Sequence, residues 1–183
     1  LEEIWSRNFT NLFIAPLKLK EIIVALIFTA LVRTLIGLVP AILLTSPLFG
    51  VSILNLGFPL FLLFLSLYIF GITLGLFVSA GLIRFGPSFE NIAWSSLFLL
   101  APLGCIYYPI EILPNFFQII AKCLPLVYIF DETRNILING FVNYENLKQA
   151  YFLNLVYLTF GIGLFYFSFL KARIKGTLIN MGE

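Results

Sequence analysis

Residues 58–82 read FPLFLLFLSLYIFGITLGLFVSAGL and contain no charged side chain. An α-helix needs about 20 apolar residues to cross the roughly 30 Å of hydrocarbon in a bilayer. Three other stretches are comparably apolar, at about 22–44, 92–108 and 151–170, and Arg33 is the one charge within them. Backbone groups in lipid must bond within a helix or a closed barrel, and these runs lack the alternation of barrel strands. The sequence therefore predicts an all-α fold, a polytopic transmembrane helix bundle forming a single domain over 1–183.

The composition excludes several classes of protein. Of the 183 residues, 61% are hydrophobic and 11% are charged, whereas a soluble domain carries about 25% charge. The chain has no histidine, which excludes histidine base catalysis and histidine metal ligation. It also has no Gly-Lys dipeptide and hence no Walker A loop. We expect no catalytic residue, no metal site and no bound cofactor, and we favour apolar filler thiols over a disulfide for Cys105 and Cys123.

The basic residues predict the orientation of the chain, because cytoplasmic loops of membrane proteins are enriched in Lys and Arg. With the N-terminus in the cytoplasm, the inner segments hold Arg7, Lys18, Lys20, Arg84, Lys171, Arg173 and Lys175. The outer segments then hold Lys122, Arg134 and Lys148. This bias predicts an integral membrane protein with both termini in the cytoplasm.

The segment before the first span is amphipathic. Its large apolar side chains share one helical face, at Leu1, Trp5, Phe9, Leu12 and Phe13. Pro16 stops or bends this helix. Two interpretations stay open for residues 1–20: an interfacial helix resting on the inner leaflet, or a cytoplasmic elbow that docks on a partner protein.

The segment after the third span, about 109–130, is apolar but interrupted by Pro109, Pro114 and Pro125. The run between the last two prolines is too short to span, so the pattern predicts an outer re-entrant helical hairpin. It is either a cap packed on the bundle or a gate at the end of a pathway. Tyr107 and Tyr108 precede it, where aromatic rings favour the membrane interface.

Polar and small residues within the spans suggest further roles. Arg33 lies deep in its span, where a charge is costly, so we expect an acceptor such as Ser66 or Thr73 nearby. It is a structural hydrogen-bonding residue, a pathway residue that attracts anionic substrate groups, or a side chain that snorkels to the interface. The small residues Gly71, Gly75 and Ser79 recur every fourth position and predict close helix packing, within the bundle or across a dimer. The outer acidic residues Glu111, Asp131 and Glu132 do not predict a catalytic pair. The spacing of Asp131 and Arg134 instead predicts an ion pair on a helix surface.

Four local strings, in this order and spacing, carry a resemblance to a known family. They are Trp5-Ser6-Arg7-Asn8 through Ala15-Pro16-Leu17 to Glu21; Arg84-Phe85-Gly86-Pro87-Ser88 with Asn91, Ala93 and Trp94; Pro102, Tyr107-Tyr108-Pro109 and Leu113-Pro114; and Gln118, Ala121, Leu124-Pro125-Leu126, Glu132 and Arg134. Over about residues 1–172 the chain resembles the membrane subunit of type 2 ABC exporters.

The resemblance implies a six-span permease that dimerises and works with two cytoplasmic ATPases, which bind ATP and magnesium. Since four spans are visible and the only Met is Met181, we expect a fragment lacking the first two spans. The resemblance also implies a bacterial inner membrane, no nucleic-acid partner, an elbow in the ATPase groove and an outer gate. The implied coupling residues are Trp5, Arg7, Phe9, Leu12 and Phe13, and the implied gate residues are Tyr107, Tyr108, Pro109, Pro114, Gln118 and Pro125.

The functional hypothesis is a permease that exports a drug, lipid or lipid-linked glycan with energy from a partner ATPase. The alternative is a four-span structural or assembly protein without an ATPase. A membrane enzyme ranks third, because no polar residues converge on a candidate site.

Overall fold

The computed structural model describes residues 19–50 and 53–175. Within these ranges α- and 3₁₀-helices account for 88% of the residues, and there is no strand. The α-helices are α1 (Leu19–Phe49), α2 (Phe58–Phe85), α3 (Glu90–Leu103), α4 (Asn115–Ala121), α5 (Pro125–Asn139) and α6 (Tyr144–Lys175), with 3₁₀ turns at Ile53–Leu56, Pro87–Phe89 and Ile110–Ile112. The predicted all-α fold is confirmed.

Three helices of the described chain are long and apolar enough to cross a membrane, over Ile23–Leu48, Phe58–Phe85 and Tyr144–Ala172. They coincide with three of the four apolar runs in the sequence and confirm a polytopic bundle. The last helix begins at Tyr144, before the apolar run at 151–170, because a helix can continue into the polar residues that precede the hydrocarbon. Length and composition therefore located these helices, although they did not fix their ends.

The chain divides into two compact units between Phe61 and Leu62, inside α2. The described part of the first unit contains α1, the turn Ile53–Leu56 and the first residues of α2. In α1 the hydroxyls of Thr29 and Thr34 each donate to the backbone carbonyl four residues earlier, at 2.8 Å. These polar groups are thus satisfied by their own helix, as a lipid environment requires.

In the second unit, helices α2 and α6 pack side by side and run parallel. Their contacts pair Leu62 with Tyr151, Ser66 with Asn154, Thr73 with Gly161, and Phe77 with Phe160. From Leu62 to Thr73 the residue number rises along both helices together, from Tyr151 to Gly161 on α6, which holds only for parallel helices. Both helices therefore cross the membrane in the same direction, and the chain between them must cross back.

Helix α3 lies on this return path. It begins beside the end of α2, where the Phe89 ring occupies the space that a side chain on Gly81 would need. It ends at Leu103, and the next turn is held by Arg134, whose guanidinium donates to the Cys105 carbonyl at 2.9 Å. Its 14 residues cover only about 21 Å. The run 92–108 is thus not one continuous helix, because Cys105 adopts a positive φ of 53° that a helix cannot include.

The parallel packing of α2 on α6 gives a testable prediction at Gly161. A Cβ there would lie 3.6 Å from the Leu76 Cβ and 3.7 Å from the Thr73 Cγ2, so alanine fits and a larger side chain does not. We expect Gly161→Leu to lower the free energy of unfolding by about 1–3 kcal/mol. Gly163→Leu is the matched control, because nothing lies within 4 Å of a Cβ at that position. Equal thermal midpoints of the two variants in detergent would contradict the packing.

Candidate functional site

Helices α4 and α5 form a helical hairpin beside the last spanning helix. Pro114 immediately precedes α4, and Gln118 on α4 donates from Nε2 to the Leu113 carbonyl at 2.8 Å. Pro125 occupies the first position of α5, where its missing N–H has no helical partner to lose. Gly140 ends α5 with a φ of 75°, a conformation that glycine adopts readily. The prolines predicted to break this segment are therefore the residues that begin its helices.

Contacts with α6 show how far the hairpin reaches along it. At the turn between α4 and α5, the Cys123 carbonyl accepts a hydrogen bond from the Tyr157 hydroxyl at 3.0 Å. Tyr157 lies 13 residues after the start of α6, which is about 20 Å along a helix. In the middle of α5, by contrast, Glu132 contacts residues at the start of α6. Helix α5 therefore runs back along a spanning helix from the tip of the hairpin, and the re-entry of this segment into the membrane stays a prediction.

The apolar centre of the hairpin is small and well packed. Its fully buried members are Cys105, Ala121 and Val127, and Tyr108, Ile110, Leu113 and Leu124 pack against them. Burial raises the pKa of the Cys105 thiol above its ordinary value, although the neighbouring Arg134 guanidinium acts in the opposite direction. Cys105 is thus an inert packing thiol, whereas Cys123 is exposed, and neither forms a disulfide.

A polar network fixes α5 to the start of α6. The Glu132 side chain is fully buried, and its Oε1 accepts from the Asn143 backbone N–H at 2.6 Å. Its Oε2 accepts from Asn146 Nδ2 at 3.1 Å, and the same amide lies 3.4 Å from the Asp131 Oδ2. A buried carboxylate is tolerated only where such donors meet it. Glu132 therefore holds the α5–α6 connection in place.

Arg134 extends this network to α3. Its Nη2 lies 3.6 Å from the Asp131 Oδ1, so the predicted helix-surface pair is present. Its Nη1 also donates to the Cys105 carbonyl, which the sequence analysis did not foresee. One guanidinium thus connects the end of α3 to the hairpin.

A second polar contact, between α2 and α6, was also missed. Asn154 and Ser66 are both buried, and Asn154 Nδ2 donates to the Ser66 backbone carbonyl at 3.0 Å and to its hydroxyl at 2.8 Å. Thr73 donates to the Ile69 carbonyl of its own helix at 2.9 Å. Ser66 and Thr73 are therefore both engaged within the second unit, and their suggested role as acceptors for Arg33 stays a prediction. The sequence did carry one signal of this contact, which is that Asn154 is the one Asn within the apolar run 151–170.

The structure places the predicted gate residues in one region but in different environments. Tyr107 is 83% exposed, and Pro109 and Pro114 are also exposed. Tyr108 is half-buried, and its hydroxyl donates to the Pro102 carbonyl at 2.8 Å. Pro125 is fully buried. Tyr108, Gln118 and Pro125 therefore support the hairpin fold, whereas Tyr107, Pro109 and Pro114 are accessible to the surroundings.

The other predicted residues lie outside this region. Arg33 lies in α1 with an exposed side chain. Gly71 and Gly75 are exposed on α2 with nothing within 4 Å of a Cβ, and Ser79 is half-buried. No neighbour within the described chain uses this small-residue face, so its predicted partner stays a prediction. The coupling residues Trp5, Arg7, Phe9, Leu12 and Phe13 lie outside the described residues.

Comparison with protein families adds to this geometry. A family model described as ABC-2 type transporter matches residues 3–138, about three quarters of the chain. The chain belongs to the ABC-2 type transporter family. Neither a curated protein nor a solved structure matches it. An ABC-2 membrane domain is a permease component of an ABC transporter and is not itself catalytic.

The ABC-2 match has a structural meaning along this chain. It begins at Glu3, runs through α1, α2 and α3, and ends one residue before the end of α5. The matched range therefore includes the whole hairpin with Glu132 and Arg134. Asn143, Asn146 and Tyr157, which fix the hairpin to α6, lie beyond it. This ABC-2 chain is an integral membrane protein, and permeases of its family normally pair with an ABC ATPase.

Proposed function

We propose that this chain is the membrane permease of an ATP-driven exporter that moves a drug, lipid or lipid-linked glycan outward with a partner ABC ATPase. The family match over residues 3–138 carries the proposal, because it takes in both the N-terminal elbow and the re-entrant hairpin. The ATPase binds ATP and magnesium, and the permease supplies the pathway.

In this proposal the elbow transmits the ATPase movement to the bundle. Its coupling residues are Trp5, Arg7, Phe9, Leu12 and Phe13, and closure of the ATPase pair on ATP favours a state open to the outside. Such a population shift requires only that ATP bind the two states with affinities differing by a few kcal/mol. Arg33 is then a pathway residue, and Tyr107 and its neighbours lie at the outer gate.

The described helices support the proposed orientation. Arg84 ends α2 and Lys171 lies near the end of α6, and these helices run parallel, so both cations lie on the same side. Basic residues favour the cytoplasmic side, which supports a C-terminus inside the cell and a hairpin outside it. We assign the protein to a bacterial inner membrane. A second permease copy and the lipid bilayer are its other partners, with no nucleic acid, and the exposed Gly71 and Gly75 offer the face for the second copy.

Co-purification tests this function. We expect the complete tagged permease, extracted from its native membrane in mild detergent, to retain a protein with a Walker A motif in near-equal amount. The Trp5→Ala/Phe9→Ala double variant should lose that protein. The Thr10→Ala/Asn11→Ala variant, away from the apolar face in the helical pattern, is the matched control and should keep it. An intact permease that never retains an ATPase would indicate a structural or assembly protein instead.

A further inference from the structure

The hairpin is attached to α6 at two widely separated points. At its tip, the Tyr157 hydroxyl donates to the Cys123 carbonyl. In the middle of α5, Glu132 accepts from Asn143 and Asn146. From Asn146 to Tyr157 is 11 residues, or about 16 Å of helix. An element fixed at two separated points cannot turn about either one, so the geometry disfavours a hairpin that swings away from α6.

The apolar surfaces between these two points are also buried. Ile129 on α5 is 1% exposed, and Leu147 and Ala150 on α6 are at most 5% exposed. Because α5 packs along the first part of α6, separating the two helices would uncover apolar surface as well as break hydrogen bonds.

Glu132 makes separation especially unfavourable. Among the residues whose burial is described, it is the one buried Asp, Glu, Lys or Arg side chain. Each carboxylate oxygen has a donor from the α5–α6 connection or from the first turn of α6. A carboxylate that loses such donors without regaining water is left without compensation. Opening the contact between α5 and α6 is therefore opposed by the loss of these two hydrogen bonds.

We propose that Glu132 is a positioning residue that keeps the hairpin fixed to α6, so that the two move as one rigid unit during transport. This inference rests on the proposed exporter function. Opening of the outer gate then comes from displacement of the whole α5–α6 unit. The segment between Gly104 and Pro114 packs on the hairpin centre and moves with this unit. Arg134 ties the α3 end of this segment to α5, through its bond to the Cys105 carbonyl.

A cysteine pair in place of the network tests whether the contact between α5 and α6 is permanent or must open. The variant is Glu132→Cys/Asn146→Cys in the complete permease with its ATPase, with the exposed Cys123 changed to serine. Before cross-linking, we expect ATP hydrolysis by the reconstituted complex to fall about tenfold. A short bis-thiosulfonate cross-linker should restore it, because a covalent bridge replaces the lost contact. A pair on one face of α6, Glu145→Cys/Gln149→Cys, is the matched control and should be unaffected in either state.

Two results would overturn the proposal. Full activity of the uncross-linked pair would show that the contact is dispensable, and loss of activity on cross-linking would show that it must open. Glu132→Gln supplies a further readout, because its Oε1 can still accept from the Asn143 N–H. We expect this conservative variant to keep more activity than Glu132→Ala at equal protein levels, and equal activities would contradict the positioning role.

Hydrogen exchange on the unmodified protein keeps the test valid even if these variants fail to fold. The Asn143 amide reports directly on Glu132, since it donates to that carboxylate. We expect its exchange to be the same in the nucleotide-free and vanadate-trapped complexes, and faster exchange on trapping would contradict the rigid unit. Failure of the exporter function is distinguishable, because the unmodified complex would then show no ATPase activity at all.

Discussion

The Gly104→Val variant is expected to lose about 1–3 kcal/mol of folding free energy, and to accumulate poorly in the membrane. A Cβ at Gly104 would lie 2.8 Å from the Leu100 carbonyl oxygen and 2.9 Å from the Leu126 Cδ1. The oxygen cannot move aside easily, because it belongs to the last turns of α3 and accepts the Gly104 N–H at 2.7 Å. The added side chain must therefore displace the backbone or the first turn of α5.

The substitution should also disturb the proposed gate, because Gly104 immediately precedes Cys105, whose carbonyl accepts the hydrogen bond from Arg134. The measurement is the thermal midpoint of the detergent-solubilised variant, followed by size-exclusion chromatography. Gly163→Val is the matched control, since it adds the same side chain where nothing lies within 4 Å of a Cβ. A Gly104→Val midpoint equal to that of the control would mean that α3 and α5 are not packed at this junction.

The second large effect is expected at the elbow. Arg7→Glu should leave the ATPase able to hydrolyse ATP but abolish the response of the permease to it. The groups of the ATPase groove that accept hydrogen bonds from Arg7 would repel a negatively charged glutamate. Like charges at an interface disfavour docking. Arg7→Lys keeps the charge and is the matched control.

The readout for Arg7 needs no knowledge of the substrate. A cysteine on the outer side is labelled in the nucleotide-free and vanadate-trapped complexes, and the two rates are compared. We expect Arg7→Lys to retain a trapping-dependent change in rate and Arg7→Glu to lose it while hydrolysis continues. A normal change in Arg7→Glu would remove Arg7 from the coupling surface.

The sequence predicted the features that depend on local pattern. The uncharged run at 58–82 located α2, since hydrophobic length alone determines whether a helix spans. Pro114 and Pro125 located the hairpin, because proline at the start of a helix is a local preference. The end of α3 was missed, because a left-handed Cys105 is unusual for a residue other than glycine.

Sequence patterns did not predict which residues of different helices contact each other. The bonds from Asn143 and Asn146 to Glu132 depend on how α5 folds back on α6, and nothing in their spacing specifies that geometry. The small-residue pattern had the same limit. It predicted close packing at Gly71, Gly75 and Ser79, whereas the close glycine contacts within the described chain occur at Gly81, Gly104 and Gly161.

The most direct test of the account is whether ATP on the partner ATPase changes the outer side of this permease. Tyr107 is the highly exposed reporter position, and Cys105 is buried, so Tyr107→Cys with Cys123→Ser gives one reactive thiol in the chain. We predict that vanadate trapping changes its rate of labelling by a membrane-impermeant maleimide several-fold. An ATPase with its Walker A lysine replaced should abolish that change. Identical rates in trapped and nucleotide-free complexes, with hydrolysis intact, would contradict the account.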